Sequence, residues 1–254
     1  MDKDMVEDIK SESNMPLYYK VQNYILDLIK NNTLKEGDLI PTEMELSIMF
    51  HISRPTVRQG LNTLVSKGYL KRIKGKGTFV TKPKILQENT RFIESYNREM
   101  NKKGLIPETK VLEISIKICP DILVDKLGVE EGDKIIQLRR LRYAYGEEEQ
   151  DNKPILLTTV YIPYKKFPNL IMYDFEKRSL YEVFEENNVY IKKALREIEA
   201  KLSNKETSKL LEINEGSPIH FISSYGYGED GSIIEYSESI YPGERNKFIV
   251  EITR

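Results

Sequence analysis

With 254 residues, of which 39% are hydrophobic and 31% charged, the chain has the length of one large or two modest domains, and no apolar run approaches the roughly 18 residues a membrane span needs. A single cysteine, Cys119, excludes an intrachain disulfide, and the opening MDKDMVEDIKSESN lacks the apolar core of a signal peptide, so a cytoplasmic protein is expected. The net charge of −1 hides an asymmetry: residues 1–84 carry 14 Lys/Arg against 10 Asp/Glu, which leaves 25 and 30 for the remainder.

Residues 1–13 read as a flexible tail, and the fold proper begins at about residue 14. Leu17, Val21, Ile25, Leu28 and Ile29 recur at helical spacing and predict a first amphipathic helix ending near Asn31–Asn32. A second helix starts in PTEMELSIMF, where Thr42 and Glu45 form a capping box and Leu46 with Met49 or Phe50 faces inward. Ser53 is a good N-cap for a third helix, Pro55 fits its first turn and Gly68 ends it. Val57, Leu61, Leu64 and Val65 form its apolar stripe, while Gly60 weakens its interior by up to about 1 kcal/mol.

Arg54 and Arg58, four residues apart, share one face of that helix beside the stripe, with Thr56 and Gln59 flanking them. YLKRIK and TFVT then read as a hairpin turning at Gly75–Lys76–Gly77. From Leu46 to Lys84 there are nine basic residues and no acid, the charge pattern of a polyanion site. Three helices and a basic hairpin make a winged helix-turn-helix, in which the N-terminal residues of the third helix reach base edges.

Residues 17–81 resemble the DNA-binding domain of the GntR family of bacterial transcription regulators through GDLIPTEMELS, SRPTVRQGLNTLVSKGYL and GKGTFV. The resemblance implies that Arg54 and Arg58 touch bases or phosphates, supported by Thr42, Ser53, Thr56 and Gln59. It sets Gly75, Lys76, Gly77 and Thr78 at the minor groove. The sequence departs from many relatives at Met44, where a basic or polar residue is common. Double-stranded, pseudo-palindromic operator DNA read by a homodimer is the expected partner.

The polar KPKILQENT reads as a linker over 83–90, and a second domain over 91–254. Sliding residues 111–143 forward by 84 superposes Glu113/Glu197, Ile114/Ile198, Leu127/Leu211, Gly132/Gly216 and Tyr143/Tyr227 without gaps. Each half of such a repeat is strand, short helix, Glu-Gly turn and long strand, so residues 194–203 read as a strand although they could pass for a helix. In the first long strand Ile136, Leu138, Arg140 and Arg142 share a face. From the residues alone two readings stay open. Either that face is solvent-exposed at its end or pairs with acids, or the two guanidiniums hold a phosphate or carboxylate. Ser179 is placed at a helix N-cap with Tyr181 in the first turn, and Glu235 and Tyr241 share a face of the last long strand.

Residues 91–254 resemble the UTRA effector-binding domain of the HutC subfamily of the same family through LGVEEGDKIIQLRRLRYAYGE, SLYEVF, EINEGSPI and EYSESIYPGERNKF. The resemblance implies a mainly antiparallel-sheet α/β fold related to a chorismate lyase, giving an α+β protein overall. It implies a phosphate held by Arg140, Arg142, Ser179 and Tyr181 with Thr90, and a sugar facing Glu235 and Tyr241. Thr158 stands where many relatives have glutamate. The function expected is a transcription regulator, a repressor in most of the family, controlled by an anionic effector such as a sugar phosphate. Two alternatives are a constitutive DNA-binding protein whose second domain only dimerises, and a lyase-like enzyme fused to a DNA-binding domain. His51, His220 and Cys119 fall in no metal or triad pattern, so no catalytic residue, metal or cofactor is expected.

Overall fold

The helical spacing at the start of the chain becomes α1, Leu17–Lys30, in the computed structural model, which describes residues 16–87, 94–146, 153–250 and Ile252. The structure divides between Lys84 and Ile85 into two compact units. In the first, α1 buries Val21, Tyr24 and Ile25 against α2, Glu43–Phe50, and α3, Arg54–Ser66. Each such side chain taken out of water stabilises the unit by about 1.5–3 kcal/mol. The capping box at α2 is complete: Glu45 N donates to Thr42 Oγ1 at 3.2 Å and Thr42 N donates to Glu45 Oε2 at 2.7 Å. His51 ends α2 in the left-handed region at φ 54°, and Ser53 caps α3 by accepting from Thr56 N at 3.3 Å.

Val57, Leu61 and Leu64 of α3 are buried, with Val65 packed at the edge. Gly60 has a reason that its helix propensity conceals. A Cβ there would stand 2.7 Å from the Tyr18 carbonyl oxygen and 3.3 Å from Val21 Cβ, so the missing side chain lets α1 and α3 cross closely. The wing is β1, Leu70–Ile73, antiparallel to β2, Gly77–Val80, with Leu39 bridged to Phe79 beside it. Gly75 and Gly77 have φ of 75° and 125°, which other residues adopt at a cost.

In the second unit β3, Ile85–Gln87, is followed by α4, Tyr96–Lys102, and β4, Ile106–Ile118. Then come α5, Asp121–Leu127; β5, Lys134–Tyr145; β6, Leu156–Pro163; and α6, Leu180–Glu186. The chain continues with β7, Lys193–Leu202; α7, Lys205–Leu211; β8, Pro218–Tyr227; β9, Ile233–Pro242; and β10, Asn246–Phe248. Six strands form one antiparallel sheet in the order β4-β5-β6-β9-β8-β7. The repeat is visible in that order: β4–α5–β5 and β7–α7–β8 occupy opposite sides, and Gly132 and Gly216 turn with φ of 83° and 77°. Residues 193–202 are strand, as their counterpart suggested. One face of the sheet carries α5 and α7 over Ile135, Tyr236, Leu141 and Leu157. The other carries α6 over Ile136, Leu138, Val160 and Ile162.

The expected linker differs from the structure in its middle. Ile85–Gln87 pair in parallel with Asn246–Phe248 rather than running loose. Gln87, 1% exposed, donates from Nε2 to Asn246 Oδ1 at 2.8 Å, and Asn246 Nδ2 donates to the Ile155 and Pro242 carbonyls. The polarity that suggested a linker is therefore buried and satisfied. Residues 88–90 lie outside the described residues. Among the described residues no helix is long and apolar enough to cross a membrane.

Candidate functional site

Two faces collect the residues singled out by sequence. On the first unit, Arg54 and Arg58 are exposed on successive turns of α3, with Gln59 exposed beside them. Ser53 Oγ and Thr56 Oγ1 are 2.8 Å apart at the helix start, and Thr42 caps α2. Gly75, Lys76 and Gly77 are exposed at the wing turn, and Thr78 is half-buried. Sequence reasoning missed Glu43. Its carboxylate accepts from Arg58 Nε at 3.0 Å to each oxygen, and from Nη2 at 2.7 Å. Arg72 Nη2 reaches it at 3.3 Å, while Arg72 Nη1 donates to Asn62 Oδ1 at 2.6 Å.

The Arg58 hydrogen bonds hold the Glu43 carboxyl below its ordinary range, against some burial and with the charges of Arg72 and Arg54 helping. Glu43 occupies the Nε–Nη2 edge of Arg58, which leaves the Nη1 end of the guanidinium as its outward donor edge. Fifteen residues separate the pair in sequence, and no periodicity connects them.

On the second unit a pocket of about 110 Å³ opens on the α6 face of the sheet. Arg140, Arg142, Ser179, Tyr181, Glu235 and Tyr241 all line it, brought together from β5, the start of α6 and β9. Thr90 lies outside the described residues. Arg140 and Arg142 are 3% and 9% exposed, so the face they share is not a solvent-exposed strand end. Neither forms an ion pair with a described acid. Ser179 occupies the N-cap position without a side-chain capping bond. The residue instead lines the pocket.

Arg142 stacks 4.5 Å above the Tyr96 ring and donates from Nη1 to Thr109 Oγ1 at 3.3 Å. The Tyr96 hydroxyl in turn donates to the Tyr143 carbonyl at 2.7 Å, which fixes the ring. Arg140 has no such support. Among the described residues four buried side-chain nitrogen or oxygen atoms lack a partner, and three are in this pocket: Arg140 Nε, Arg140 Nη1 and Glu235 Oε2. The other Glu235 oxygen accepts from the Tyr181 hydroxyl at 2.7 Å.

Burial draws the Arg140 guanidinium well below its ordinary pKa, the adjacent Arg142 charge adds to this, and Glu235 opposes it. Burial likewise pushes the Glu235 carboxyl up, against the Tyr181 hydrogen bond and the Arg140 charge. Burial thus works against the charged form of both groups, which the protein alone solvates poorly. A ligand offering an acidic acceptor to Arg140 and a donor to Glu235 removes both penalties.

Thr158, singled out by sequence where many relatives have glutamate, lines the pocket too, and three further lining hydroxyls escaped sequence reasoning: Ser224, Ser237 and Ser239. Ser239 Oγ and Thr158 Oγ1 are 3.2 Å apart, and register places both in line with Arg140. The pocket wall also meets the first strand of the unit. Phe248 of β10 lines the pocket, packed edge-on to Tyr241 at 5.0 Å. Lys103 joins Glu99, another lining residue, at 2.6 Å and also donates to the Leu86 carbonyl of β3.

Cys119 is buried, and burial with the nearby charges of Asp133 and Asp121 pushes its thiol up, away from thiolate chemistry. His220 packs edge-on to Phe248 at 5.1 Å. Among the described residues no cluster of His, Cys, Asp and Glu could hold a metal.

Comparison with known proteins covers both units. A family profile described as "Bacterial regulatory proteins, gntR family" matches residues 17–80, and one described as "UTRA domain" matches residues 102–247. The chain is 30% identical over 243 residues to the HTH-type transcriptional repressor NagR of Bacillus subtilis, covering 95% of this chain and 97% of that one. It is 29% identical to the mannosyl-D-glycerate transport/metabolism system repressor MngR of Escherichia coli, covering 92% and 94%. Among solved structures, PhnF from Mycobacterium smegmatis aligns with a TM-score of 0.74 at 26% identity, covering 92% of this chain and 99% of that one.

Proposed function

The chain belongs to the GntR family of bacterial regulatory proteins, in the branch that carries a UTRA domain, and on that footing we propose that it is a repressor released from its operator by a phosphorylated sugar. The observation that carries the effector half is the set of orphaned polar atoms in the pocket. Arg140 Nε and Nη1 present donors, and Glu235 Oε2 presents an acceptor, all buried and unpaired. Side-chain polar atoms are seldom left so unless something binds. Two neighbouring guanidiniums suit a phosphate, and the hydroxyl-rich floor suits a polyol.

The DNA half rests on Arg54 and Arg58 at the exposed start of α3 and on the basic wing, with the charge supplying affinity and the arginines preference. A single winged helix offers little surface, so the working species is a homodimer in the cytoplasm on a pseudo-palindromic site. Effector binding shifts Tyr96, Glu99 and Phe248, and through Lys103 and β10 it shifts β3, from which the chain runs to the DNA-reading unit. A 100-fold loss of operator affinity needs about 2.7 kcal/mol of coupling.

A thermal-shift screen against phosphorylated sugars, unphosphorylated sugars and small carboxylates tests the effector, run beside Arg140→Ala/Arg142→Ala. A shift of several degrees for a sugar phosphate, absent in the double variant, is the expected result. Flat curves throughout, or a response that survives the double substitution, would move the effector site elsewhere. Arg54→Ala should abolish footprinting of the operator without lowering the melting temperature; a normal footprint would refute the recognition-helix assignment.

A further inference from the structure

Arg196 is a third guanidinium in the same pocket. It stands on β7, at the opposite side of the sheet from β4 and β5. Register sets it across from Ser224 and then Ser237, both of which line the pocket. Arg140 stands in the neighbouring row, across from Thr158 and Ser239. A floor of hydroxyls therefore runs from an arginine pair at one end to a single arginine at the other.

Glu235 stands between the two ends, on β9, two strands from β7 and two from β5, and feels the charges of both Arg140 and Arg196. Ala194, two residues before Arg196 on the same face of β7, is across β8 from Glu235 through Gly226. Gly226 keeps the space between them open, since a Cβ there would be 3.0 Å from Glu235 Cγ and 3.1 Å from Ile191 Cδ1. Arg196 is half-buried and makes no hydrogen bond or ion pair with any described residue.

The chemistry of that end is selective. Arg196 can only donate, and Glu235 as a carboxylate can only accept. A ligand hydroxyl does both, donating to the carboxylate and accepting from the guanidinium. An ammonium satisfies Glu235 but meets the positive charge of Arg196. We propose that Arg196 is a specificity residue of the effector pocket which, with Glu235, selects a neutral hydroxylated group at the end of the effector far from its phosphate and rejects an amine there. The inference rests on the phosphate reading of Arg140 and Arg142 and adds what the opposite end of the ligand must be.

Titration calorimetry on the full chain tests it with inorganic phosphate, glucose 6-phosphate and glucosamine 6-phosphate. Wild type should prefer the hydroxyl sugar over the amino sugar by about ten-fold or more, the worth of a charge-assisted hydrogen bond. Arg196→Met and Arg196→Gln should leave inorganic phosphate within about two-fold while that preference falls toward unity. Arg140→Ala should instead weaken all three ligands. Unchanged melting temperatures in the absence of ligand establish that the Arg196 variants fold.

Each contrary result has its own meaning. If Arg196→Met loses inorganic phosphate as well, Arg196 belongs to the phosphate end and the proposal is wrong. An unchanged preference in both Arg196 variants, or a wild type that favours the amine, also overturns it. A wild type that binds inorganic phosphate but neither sugar refutes the selectivity while the phosphate reading stands. A wild type that binds none of the three refutes both.

Discussion

Glu43→Gln is the most informative single change on the face proposed to read DNA. In the free protein Glu43 engages both Arg58 and Arg72, two of the cations expected to meet DNA. Their side chains are 55% and 41% exposed against 20% for Glu43, so solvent screens the pairs and folding stability should hardly change. The effect falls on DNA. Releasing one guanidinium for a phosphate steepens the dependence of log K on log salt by about 0.9 per protomer, and releasing both by about twice that. Arg58 also loses the partner that fixes its plane and turns its Nη1 end outward, so its preference for a particular base should fall by about ten-fold. Non-specific binding tightens while specific binding weakens, and their ratio contracts from both sides. Fluorescence anisotropy reads this with a duplex selected in vitro by the wild type and a scrambled duplex, between about 50 and 200 mM salt. An unchanged salt slope with an unchanged preference would show that Glu43 neither shields nor orients the arginines.

Gly60→Ala gains up to about 1 kcal/mol of helix propensity but forces its Cβ against the Tyr18 carbonyl, at about 1–3 kcal/mol, so the first unit should melt lower by calorimetry; a higher transition would mean that α1 slides aside freely. Arg140→Met removes two buried, unpartnered donors and should raise the melting temperature of the unliganded protein by a few degrees while ending its response to phosphate compounds. A fall in melting temperature would show that Arg140 stabilises the empty pocket. Because burial raises the Glu235 pKa in the folded state, its ionised form costs stability at neutral pH, and that cost disappears as the pH drops through the raised pKa. Wild type should therefore gain stability relative to Glu235→Gln on acidification from about pH 7.5 to about pH 5, measured as paired melts; parallel curves would mean that Glu235 titrates as a solvated carboxylate.

Local chemistry was legible in the sequence wherever one element carried its own signal. The Thr42–Glu45 box, the Ser53 cap and the Gly68 stop are each decided within four residues, and they stand where that chemistry puts them. The repeat settled 193–202 as strand by borrowing information from its other half. What stayed hidden depends on register between distant strands. Ser224, Ser237 and Ser239 are ordinary strand residues until β8 and β9 align them with Thr158 of β6 into one floor. Arg196 reads as a surface charge until β7 proves to border the pocket, and Glu43 until α2 and α3 meet. Gln87 was misjudged for the opposite reason: its polarity implied exposure, but Asn246 satisfies it inside.

That last contact also orders events in time. Gln87 and Asn246 are 159 residues apart. A ribosome adding about 5–20 residues per second needs roughly 8–30 s to travel between them. Throughout that interval the winged helix has been made and β3 has no strand to pair with. Each new molecule thus carries a complete winged helix before β3 is paired, and the second unit closes only when β10 arrives. A message broken before codon 246 would leave β3 unpaired and the pocket without its Phe248 wall.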